Sequence, residues 1–220
     1  MATVFLTGAT GFLGRNLATE LLRRGHRVRA LVRPESRHRL LGGCECVVGD
    51  PLNSASYQHQ VAPADPFIHL VGVSHPSPSK AAEFQRVDLV SAKAGVQAAQ
   101  CSGIGHFVYI SVAHPAPVMK AYIEARTQAE EAIRAARLNA TILRPWYVLG
   151  PGRRWPAALA PIYGILSWLP PTRESARRLG LVTLPQMIGT LADAVEQPAK
   201  GVRIVEVPQI RAGKLSSQAE

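Results

Sequence analysis

The chain has 220 residues, enough to bury a full core, and its composition of 47% hydrophobic and 18% charged residues excludes a disordered or fibrous protein. Its formal net charge of +10 would suit anionic partners of several kinds. However, the basic residues are spread along the chain without interleaved aromatic residues, which argues against a nucleic-acid-binding protein. We therefore predict a single globular α/β domain over residues 1–220.

Short apolar segments alternate with helical segments along the chain. The predicted strands are 2–7, 26–33, 46–50, 67–73, 106–112, 140–145 and 202–207. The predicted helices are 11–25, 79–102, 117–137 and 185–197. Apolar strands that alternate with helices indicate a parallel sheet covered on both faces, so the predicted fold class is doubly wound α/β.

The last third of the sequence has a different character. Residues 155–171, WPAALAPIYGILSWLPP, carry no charge, but prolines interrupt them and make them a poor membrane span. We expect 1–150 to form the doubly wound core and 151–220 to form a short C-terminal lobe with the last strand. The uncharged segment 155–171 is a candidate docking surface for a membrane surface or a protein partner.

Cysteine usage and the N-terminus bear on the compartment. Three cysteines without metal-binding spacing indicate a reducing environment and no metal site. The sequence MATVFLTGATG runs directly into a strand and lacks the basic region and cleavage site of an export signal. Together these features predict a cytoplasmic protein, and they leave its oligomeric state open.

A glycine turn joins the first strand to the first helix. Residues 7–14 read TGATGFLG, in which the first glycine permits a tight turn, the second lets backbone approach a pyrophosphate, and the third lets the helix pack on the sheet. The N–H groups at the start of the helix would then face the phosphates. The predicted cofactor-binding residues here are Gly8, Ala9, Thr10, Gly11, Phe12, Leu13, Gly14 and Arg15.

This turn resembles the TGxxGxxG fingerprint of the short-chain dehydrogenase/reductase superfamily, particularly its atypical and extended branches. The resemblance covers about residues 1–150 and implies a Rossmann fold with an NAD(P) cofactor, the C-terminal lobe lying on the substrate side. The sequence is also similar to NmrA-like redox sensors and to the dinucleotide-binding accessory subunit of respiratory complex I. In those proteins the cofactor is structural or regulatory.

The end of the second strand bears on which dinucleotide is bound. An NAD site usually has Asp or Glu there, whereas ALVRPESR places Arg33 nineteen residues after Gly14. Because a guanidinium pairs with a 2′-phosphate, NADP is favoured over NAD; the alternative is that Arg33 belongs to a solvated basic face. Arg15 and Arg37 could join the same cluster. By resemblance, Asp50 would bond the adenine, and Val71 and Gly72 would line the cofactor.

The residues expected to carry chemistry follow the fifth strand. The superfamily uses a strand-end Ser and a Tyr–x–x–x–Lys helix motif, and the resemblance assigns these roles to Ser111, Tyr122 and Arg126, with Arg in place of Lys. Spacing of four puts Tyr122 and Arg126 on one helix face. Arg126 keeps the positive charge but cannot shed a proton into a relay. A core-packed tyrosine is the alternative for Tyr122.

Two further sequence features lie near the expected nicotinamide end. ILRPWYVLGPG resembles a stretch that follows the sixth strand in the extended and atypical branches, which implies that Pro145 and Trp146 line the cofactor. His75 and His114 occupy matching proline-rich loops beyond strand ends, where each is a candidate accessory acid or a loop hydrogen-bonding residue.

Three functions remain open at this point. The first is an NADP(H)-binding oxidoreductase that acts on a small carbonyl or hydroxyl substrate. The second is a non-catalytic dinucleotide-binding sensor or assembly protein. The third is a nucleotide-sugar epimerase or dehydratase, for which the C-terminal lobe is short.

Overall fold

The computed structural model describes residues 1–116, 118–151 and 179–215. The strands in this part of the chain are β1 (Thr3–Thr7), β2 (Arg27–Val32), β3 (Glu45–Val48), β4 (Phe67–His69), β5 (Phe107–Ile110), β6 (Ala140–Arg144), β7 (Tyr147–Leu149), β8 (Leu181–Thr183) and β9 (Val202–Glu206). The α-helices are α1 (Phe12–Arg23), α2 (Ala81–Glu83), α3 (Val90–Cys101), α4 (Lys120–Ala135), α5 (Leu184–Glu196) and α6 (Val207–Ala212). A π-helical stretch, Phe84–Leu89, joins α2 to α3.

Seven strands form one sheet in the order β3-β2-β1-β4-β5-β6-β9, and every neighbouring pair is parallel. β1 lies inside the sheet, where Leu6 is opposite Ala30 of β2 on one side and Ile68 of β4 on the other. The strand order runs outward from β1 in both directions, so the prediction of a doubly wound α/β fold is confirmed. The last predicted strand takes the edge next to β6, as expected.

Each face of the sheet is covered by its own hydrophobic cluster. On one face, Leu17 and Leu21 of α1 pack with Met187 and Leu191 of α5 and with inward-facing strand residues. On the other face, aromatic residues of β1, β4 and β5 pack against α3, α4 and the π-helical stretch. This two-sided burial explains why the strand sequences are almost wholly apolar.

The described residues after 178 extend the same fold. β7 and β8 pair in parallel as a separate two-stranded sheet. α5 begins with a capping box, in which Oγ1 of Thr183 accepts from the Gln186 amide at 3.4 Å and Oε1 of Gln186 accepts from the Thr183 amide at 2.9 Å. The segment 155–171, singled out as a docking surface, and the rest of 152–178 lie outside the described residues.

The fourth strand is shorter than predicted, because it ends at His69 rather than at residue 73. The chain crosses the glycine turn at this point: a Cβ on Gly8 would lie 2.8 Å from both the carbonyl carbon and the oxygen of Leu70. Residues 70–74 are therefore a loop beyond the strand rather than part of it.

No helix in the described ranges is both long and apolar enough to span a membrane.

Candidate functional site

The glycine turn is folded so tightly that side chains are excluded from it. Gly8 has a φ of +73°, which disfavours a residue with a Cβ, and its carbonyl accepts from the Gly11 amide at 3.0 Å. A Cβ on Gly14 would lie 2.1 Å from the Gly8 oxygen. Gly8 thus makes the tight turn and Gly14 allows the close packing of α1 that their spacing predicted.

The N-terminus of α1 is suited to an anion. Its N-cap is Gly11, without a side-chain hydrogen bond, and its first turn contains no acidic residue. Backbone N–H groups at a helix start favour phosphate through both hydrogen bonding and the helix dipole. This turn fits the pyrophosphate of a dinucleotide, which when bound would contact backbone rather than side chains.

Two pockets meet at the glycine turn. One, of about 340 Å³, lies on the side of β2 and β3, and its wall includes Arg33, Arg39, Asp50, Val71 and Gly72. The other, of about 170 Å³, lies on the side of β5 and α4. Its wall contains Gly8, Gly11, Phe12, Leu13, Gly14, Leu70, Gly72, Val73, Ser74, Ile110, Tyr122 and Arg126. The two pockets share wall residues of the glycine turn and of the loop after β4, and together we call them the groove. They lie at the carboxyl edge of the sheet, the edge where open α/β sheets bind ligands.

Two arginines border the larger pocket. Arg33 follows β2 directly, its side chain is 58% exposed, and its Nε lies 3.2 Å from Oε1 of Glu35. Arg39, six residues further along the chain, lines the same pocket, and its Nη2 points toward the Thr10 carbonyl at 3.5 Å. Arg15 lies with Arg39 in an adjacent pocket of about 420 Å³, whereas Arg37 lines neither.

Asp50 serves as a turn residue and also lines the larger pocket. Its Oδ1 accepts from the Leu52 amide at 2.9 Å, and its own amide donates to Oγ of Ser56 at 2.9 Å. These bonds fix the carboxylate at the pocket rim, so the turn role and the predicted adenine contact are compatible in the same position.

Arg126 is buried, with 6% of the residue exposed, and most of its donors are engaged. Its Nη2 donates to Oδ1 of Asp88 at 2.5 Å, and its Nη1 donates to the Ile110 carbonyl at 2.8 Å and to the Tyr109 hydroxyl at 3.2 Å. Its Nε is buried and has no hydrogen-bond partner among the described residues. The guanidinium therefore bridges α4, the π-helical stretch and the end of β5, and it also forms part of the smaller pocket wall.

The electrostatics of this group keep Arg126 charged. Burial alone would lower the pKa of Arg126, but the surrounding Tyr109, Tyr122 and Asp88 raise it above its usual value. Burial also raises the pKa of the Tyr109 hydroxyl to about 12, although the charge of Arg126 opposes that shift. The hydroxyl of Tyr109 is therefore protonated at neutral pH.

Tyr122 lies on the same face of α4 as Arg126, as the spacing predicted. Its ring is 5.0 Å from the ring of Phe84, and the guanidinium carbon of Arg126 is 5.1 Å from its centroid. The residue is half-buried and lines the smaller pocket beside the glycine turn. It combines a ring packed on an apolar neighbour with a place on the pocket wall.

Ser111 lies in a different environment from Tyr122. It is buried, and its Oγ makes no hydrogen bond of good geometry among the described residues. It faces Glu130, whose carboxylate accepts from Arg144 at 2.6 Å and lies 3.7 Å from Nε2 of His114. Burial alone would raise the pKa of Glu130, but His114, Arg144 and Ser111 lower it well below its usual range.

The segment after β6 packs beside the glycine turn. Pro145 is buried, and its carbonyl accepts from the Ala113 amide at 3.0 Å. Trp146 packs on the core cluster of α1 and α5. A Cβ on Gly150 would lie 2.6 Å from the ring of Phe12, so this segment covers the start of α1. The described walls of the three pockets around the turn include neither Ser111, Pro145, Trp146 nor the core residue Ala9.

Sequence reasoning missed Asp88 and Arg39. The sequence around Asp88 contains a pattern that could have indicated its role. Phe84 and Ala92, four residues to either side, are apolar and buried, so helical spacing puts the Asp88 carboxylate on an apolar face, where it needs a cation. The sequence pattern that could have indicated Arg39 is weaker, because its side chain approaches Thr10 only as a result of the short 3₁₀ helix of Pro34–Arg39.

The comparison with protein families agrees with this geometry. A model described as NAD(P)H-binding matches residues 8–153, from the first glycine of the turn to just beyond the Pro145–Gly150 segment. The chain belongs to this NAD(P)H-binding family, and its likeness to short-chain dehydrogenases and reductases is confirmed.

Individual relatives extend the comparison. Over 210 residues the chain is 30% identical to the ceramide reductase of Caulobacter vibrioides, covering 94% of this chain and 65% of that protein. It is 32% identical over 162 residues to NADH dehydrogenase [ubiquinone] 1 alpha subcomplex subunit 9 of Arabidopsis thaliana, covering 68% of this chain and 39% of the relative. The chain thus spans less than two thirds of the length of either relative.

Among solved structures, the Bordetella bronchiseptica enzyme WbmH in complex with NAD+ superposes with a TM-score of 0.69. The two are 21% identical, and the match covers 94% of this chain and 75% of that one. This likeness shows the shared fold.

Proposed function

We propose that this protein is an NADP(H)-dependent oxidoreductase that reduces a carbonyl group on a small substrate, with Tyr122 as the proton donor. The observation that carries the proposal is the position of Tyr122: it shares one pocket wall with the glycine turn and stacks over the charged guanidinium of Arg126. The phenol therefore faces the same space as the glycine turn, where a hydroxyl group could donate a proton to a developing alkoxide.

The residues of this chain divide the work as follows. The glycine turn and the start of α1 would hold the pyrophosphate, and Arg33 and Arg39 would face a 2′-phosphate from the larger pocket. When bound, the nicotinamide would supply the hydride to the substrate carbon. Tyr122 would donate its proton to the substrate oxygen and then regain one from solvent.

Support for NADP rests on charge. Arg33 and Arg39 place two guanidinium groups at one pocket, where the only carboxylates described nearby are Glu35, paired with Arg33, and Asp50. A free ribose hydroxyl needs an acceptor, whereas a phosphate needs donors and positive charge. The pocket offers more donors and positive charge than it offers acceptors.

The names of two relatives support a carbonyl substrate. The ceramide reductase and a Stigmatella aurantiaca ketoreductase match this chain at 30% and 26% identity, and both names describe reduction. We accordingly propose a ketone as the substrate, and a first panel should contain small, cyclic and long-chain ketones.

A second candidate is a protein that binds the dinucleotide without turning it over. The observation in its favour is that Arg126, which stands where the superfamily has Lys, is tied to Asp88, Tyr109 and Ile110. The relationship to the NADH dehydrogenase subunit 9 of Arabidopsis thaliana fits this candidate.

The test combines binding with turnover. NADPH and NADH are titrated into the purified protein, and oxidation of the tighter cofactor is then followed across the ketone panel. We expect NADPH to bind more tightly and Tyr122→Phe to reduce kcat by roughly a hundredfold or more while the Kd for NADPH changes little. Tight binding with no turnover on any ketone would favour the non-catalytic candidate, and binding of neither cofactor would refute both.

A further inference from the structure

The carboxylate of Asp88 makes contacts with both of its oxygens. Oδ1 accepts from Nη2 of Arg126 at 2.5 Å, and Oδ2 accepts from the backbone amide of Val73 at 3.0 Å. Asp88 is 0% exposed, so both contacts are shielded from water. It belongs to the π-helical stretch Phe84–Leu89, a form of helix that is rare and often found at functional sites.

These contacts converge on the loop of residues 70–74. A Cβ on Gly72 would lie 2.5 Å from Nη2 of Arg126 and 3.2 Å from Oδ1 of Asp88, so the ion pair lies directly against the Gly72 backbone. Val73, the next residue, is held by its amide. The same loop forms walls of both pockets that meet at the glycine turn. The ion pair therefore supports one side of the cofactor groove from behind.

We propose, resting on the function proposed above, that Asp88 is a positioning residue for the cofactor, acting through Arg126 and the Val73 amide to hold the 70–74 loop. Asp88 itself is not part of the described walls of the two pockets. Its effect passes through the loop backbone on one side and through the guanidinium under Tyr122 on the other. Arg126 in this arrangement is a support for the groove. Its Nη1 and Nη2 hold Tyr109, Ile110 and Asp88 from two positions, whereas the three donors of a lysine would all leave one nitrogen.

Asparagine at position 88 separates this role from simple packing. Asn has the shape of Asp but only one acceptor oxygen, and its NH₂ group would face a donor at the other contact. Asp88→Asn therefore keeps the volume and loses either the Arg126 bond or the Val73 bond. We expect the Kd for NADPH to rise roughly tenfold or more, since charge-assisted buried hydrogen bonds are among the stronger ones. The KM for NADPH should rise more than kcat falls.

Two controls accompany this variant. Asp193→Asn also removes a carboxylate that pairs with an arginine, since Asp193 lies 2.7 Å from Arg24. Asp193 is on α5, away from the groove, so the Kd of this variant for NADPH should equal that of the parent protein. Hydrogen exchange of the peptide spanning 70–76 should accelerate in Asp88→Asn, while peptides of β1 and β5 keep their protection. A general loss of structure would instead accelerate all three.

Gly72→Ala provides an independent route if Asp88→Asn does not fold. The added Cβ presses on the Arg126 guanidinium and leaves both charges in place. It should weaken NADPH by a similar factor, and the two substitutions together should weaken it by less than the product of their separate effects. Kd values within twofold of the parent in the folded variants would overturn the inference and leave the proposed function standing. A parent protein that binds neither dinucleotide would instead refute the proposed function.

Discussion

Nη2 of Arg126 and Oδ1 of Asp88 form an ion pair at 2.5 Å in which both side chains are buried. A charge pair in such a position costs free energy to desolvate, and its two members depend on each other. Removing one partner leaves an uncompensated buried charge, whereas removing both charges leaves none uncompensated. This difference makes the pair testable by stability alone, without any cofactor.

Arg126→Met should lower the free energy of unfolding by about 3–5 kcal/mol, because Asp88 is then buried without its cation. The double variant Asp88→Asn with Arg126→Met should be more stable than Arg126→Met alone. Urea unfolding of the four members of this cycle measures the coupling. Arg24→Met is the matched control: Arg24 pairs with Glu20, Asp193 and Glu196 in a partly exposed network that solvent screens, so its loss should cost less than that of Arg126. Equal costs for Arg24→Met and Arg126→Met would contradict the buried-pair argument.

Cofactor preference should depend on two arginines and not on a third close by. Arg33→Ala and Arg39→Ala each remove a guanidinium from the larger pocket, and each should weaken NADPH roughly ten- to hundredfold while changing NADH less than about twofold. Arg37 belongs to the same 3₁₀ helix as Arg39 but does not line that pocket, so Arg37→Ala should leave both affinities unchanged. Fluorescence titration of each variant with both cofactors decides the point. An equal loss of NADPH and NADH affinity would rule out a 2′-phosphate role for either arginine.

Gly14→Ala should abolish cofactor binding or folding, because its Cβ would lie 2.1 Å from the Gly8 oxygen and 2.7 Å from the Ala9 Cα, both backbone atoms that cannot move aside. Gly189→Ala is the matched control. Gly189 lies within α5, and nothing lies within 4 Å of its added Cβ, so alanine should raise the free energy of unfolding by about 0.5–1 kcal/mol and leave cofactor affinity intact. Thermal unfolding with and without NADPH measures both effects. A Gly14→Ala protein with parental stability and affinity would show that the turn tolerates a side chain.

The order of strands and helices could be read from the sequence because each follows from local pattern. Apolar runs such as 106–112 and 140–145 can be satisfied only inside a sheet covered on both faces, and the glycine turn fixes the first crossover. The predicted end of the fourth strand was wrong by four residues. The chain leaves the sheet after His69 because its next residue, Leu70, passes over Gly8, which is distant in sequence.

The parts of the candidate site that depend on the spacing of residues along a helix could be predicted from the sequence. The parts that depend on contacts between residues distant in sequence could not. Four-residue spacing placed Tyr122 and Arg126 on one face of α4, which the structure bears out. No local pattern indicates that Arg126 meets Asp88, 38 residues earlier, or that Ser111 faces Glu130. Those pairings arise only when the sheet brings the ends of β4, β5 and β6 to one edge.

Two buried histidines should make stability depend on pH. Burial, followed by the charge of Arg126, lowers the pKa of His69 to about 3, and burial with the charge of Arg203 lowers that of His106 to about 4. Nδ1 of His69 lies 3.0 Å from Oγ1 of Thr7, and Nε2 of His106 lies 3.0 Å from Oγ1 of Thr141, contacts that a neutral ring satisfies.

The direction of this pH dependence follows from which state, folded or unfolded, binds more protons. Below about pH 6.5 the unfolded chain protonates both histidines, whereas the folded chain does not until the pH approaches 4 and then 3. The stabilising contribution is therefore fully present above pH 6.5 and is lost as the pH falls, by about 1.4 kcal/mol per pH unit for each histidine once its unfolded form is protonated. Urea unfolding at several values between pH 7.5 and 5 measures this slope before most carboxylates titrate.

His69→Gln should reduce the slope between pH 6 and 5 by the contribution of one proton, whatever its effect on stability at pH 7.5. His106→Gln should do the same, and the double variant should remove both contributions, because the two rings have separate hydrogen-bond partners. His38→Gln, at an exposed position in the 3₁₀ helix of Pro34–Arg39, is the control for replacing a histidine at the surface. If the slope persists in the double variant, other groups carry the acid sensitivity, and the buried rings of His69 and His106 are not its source.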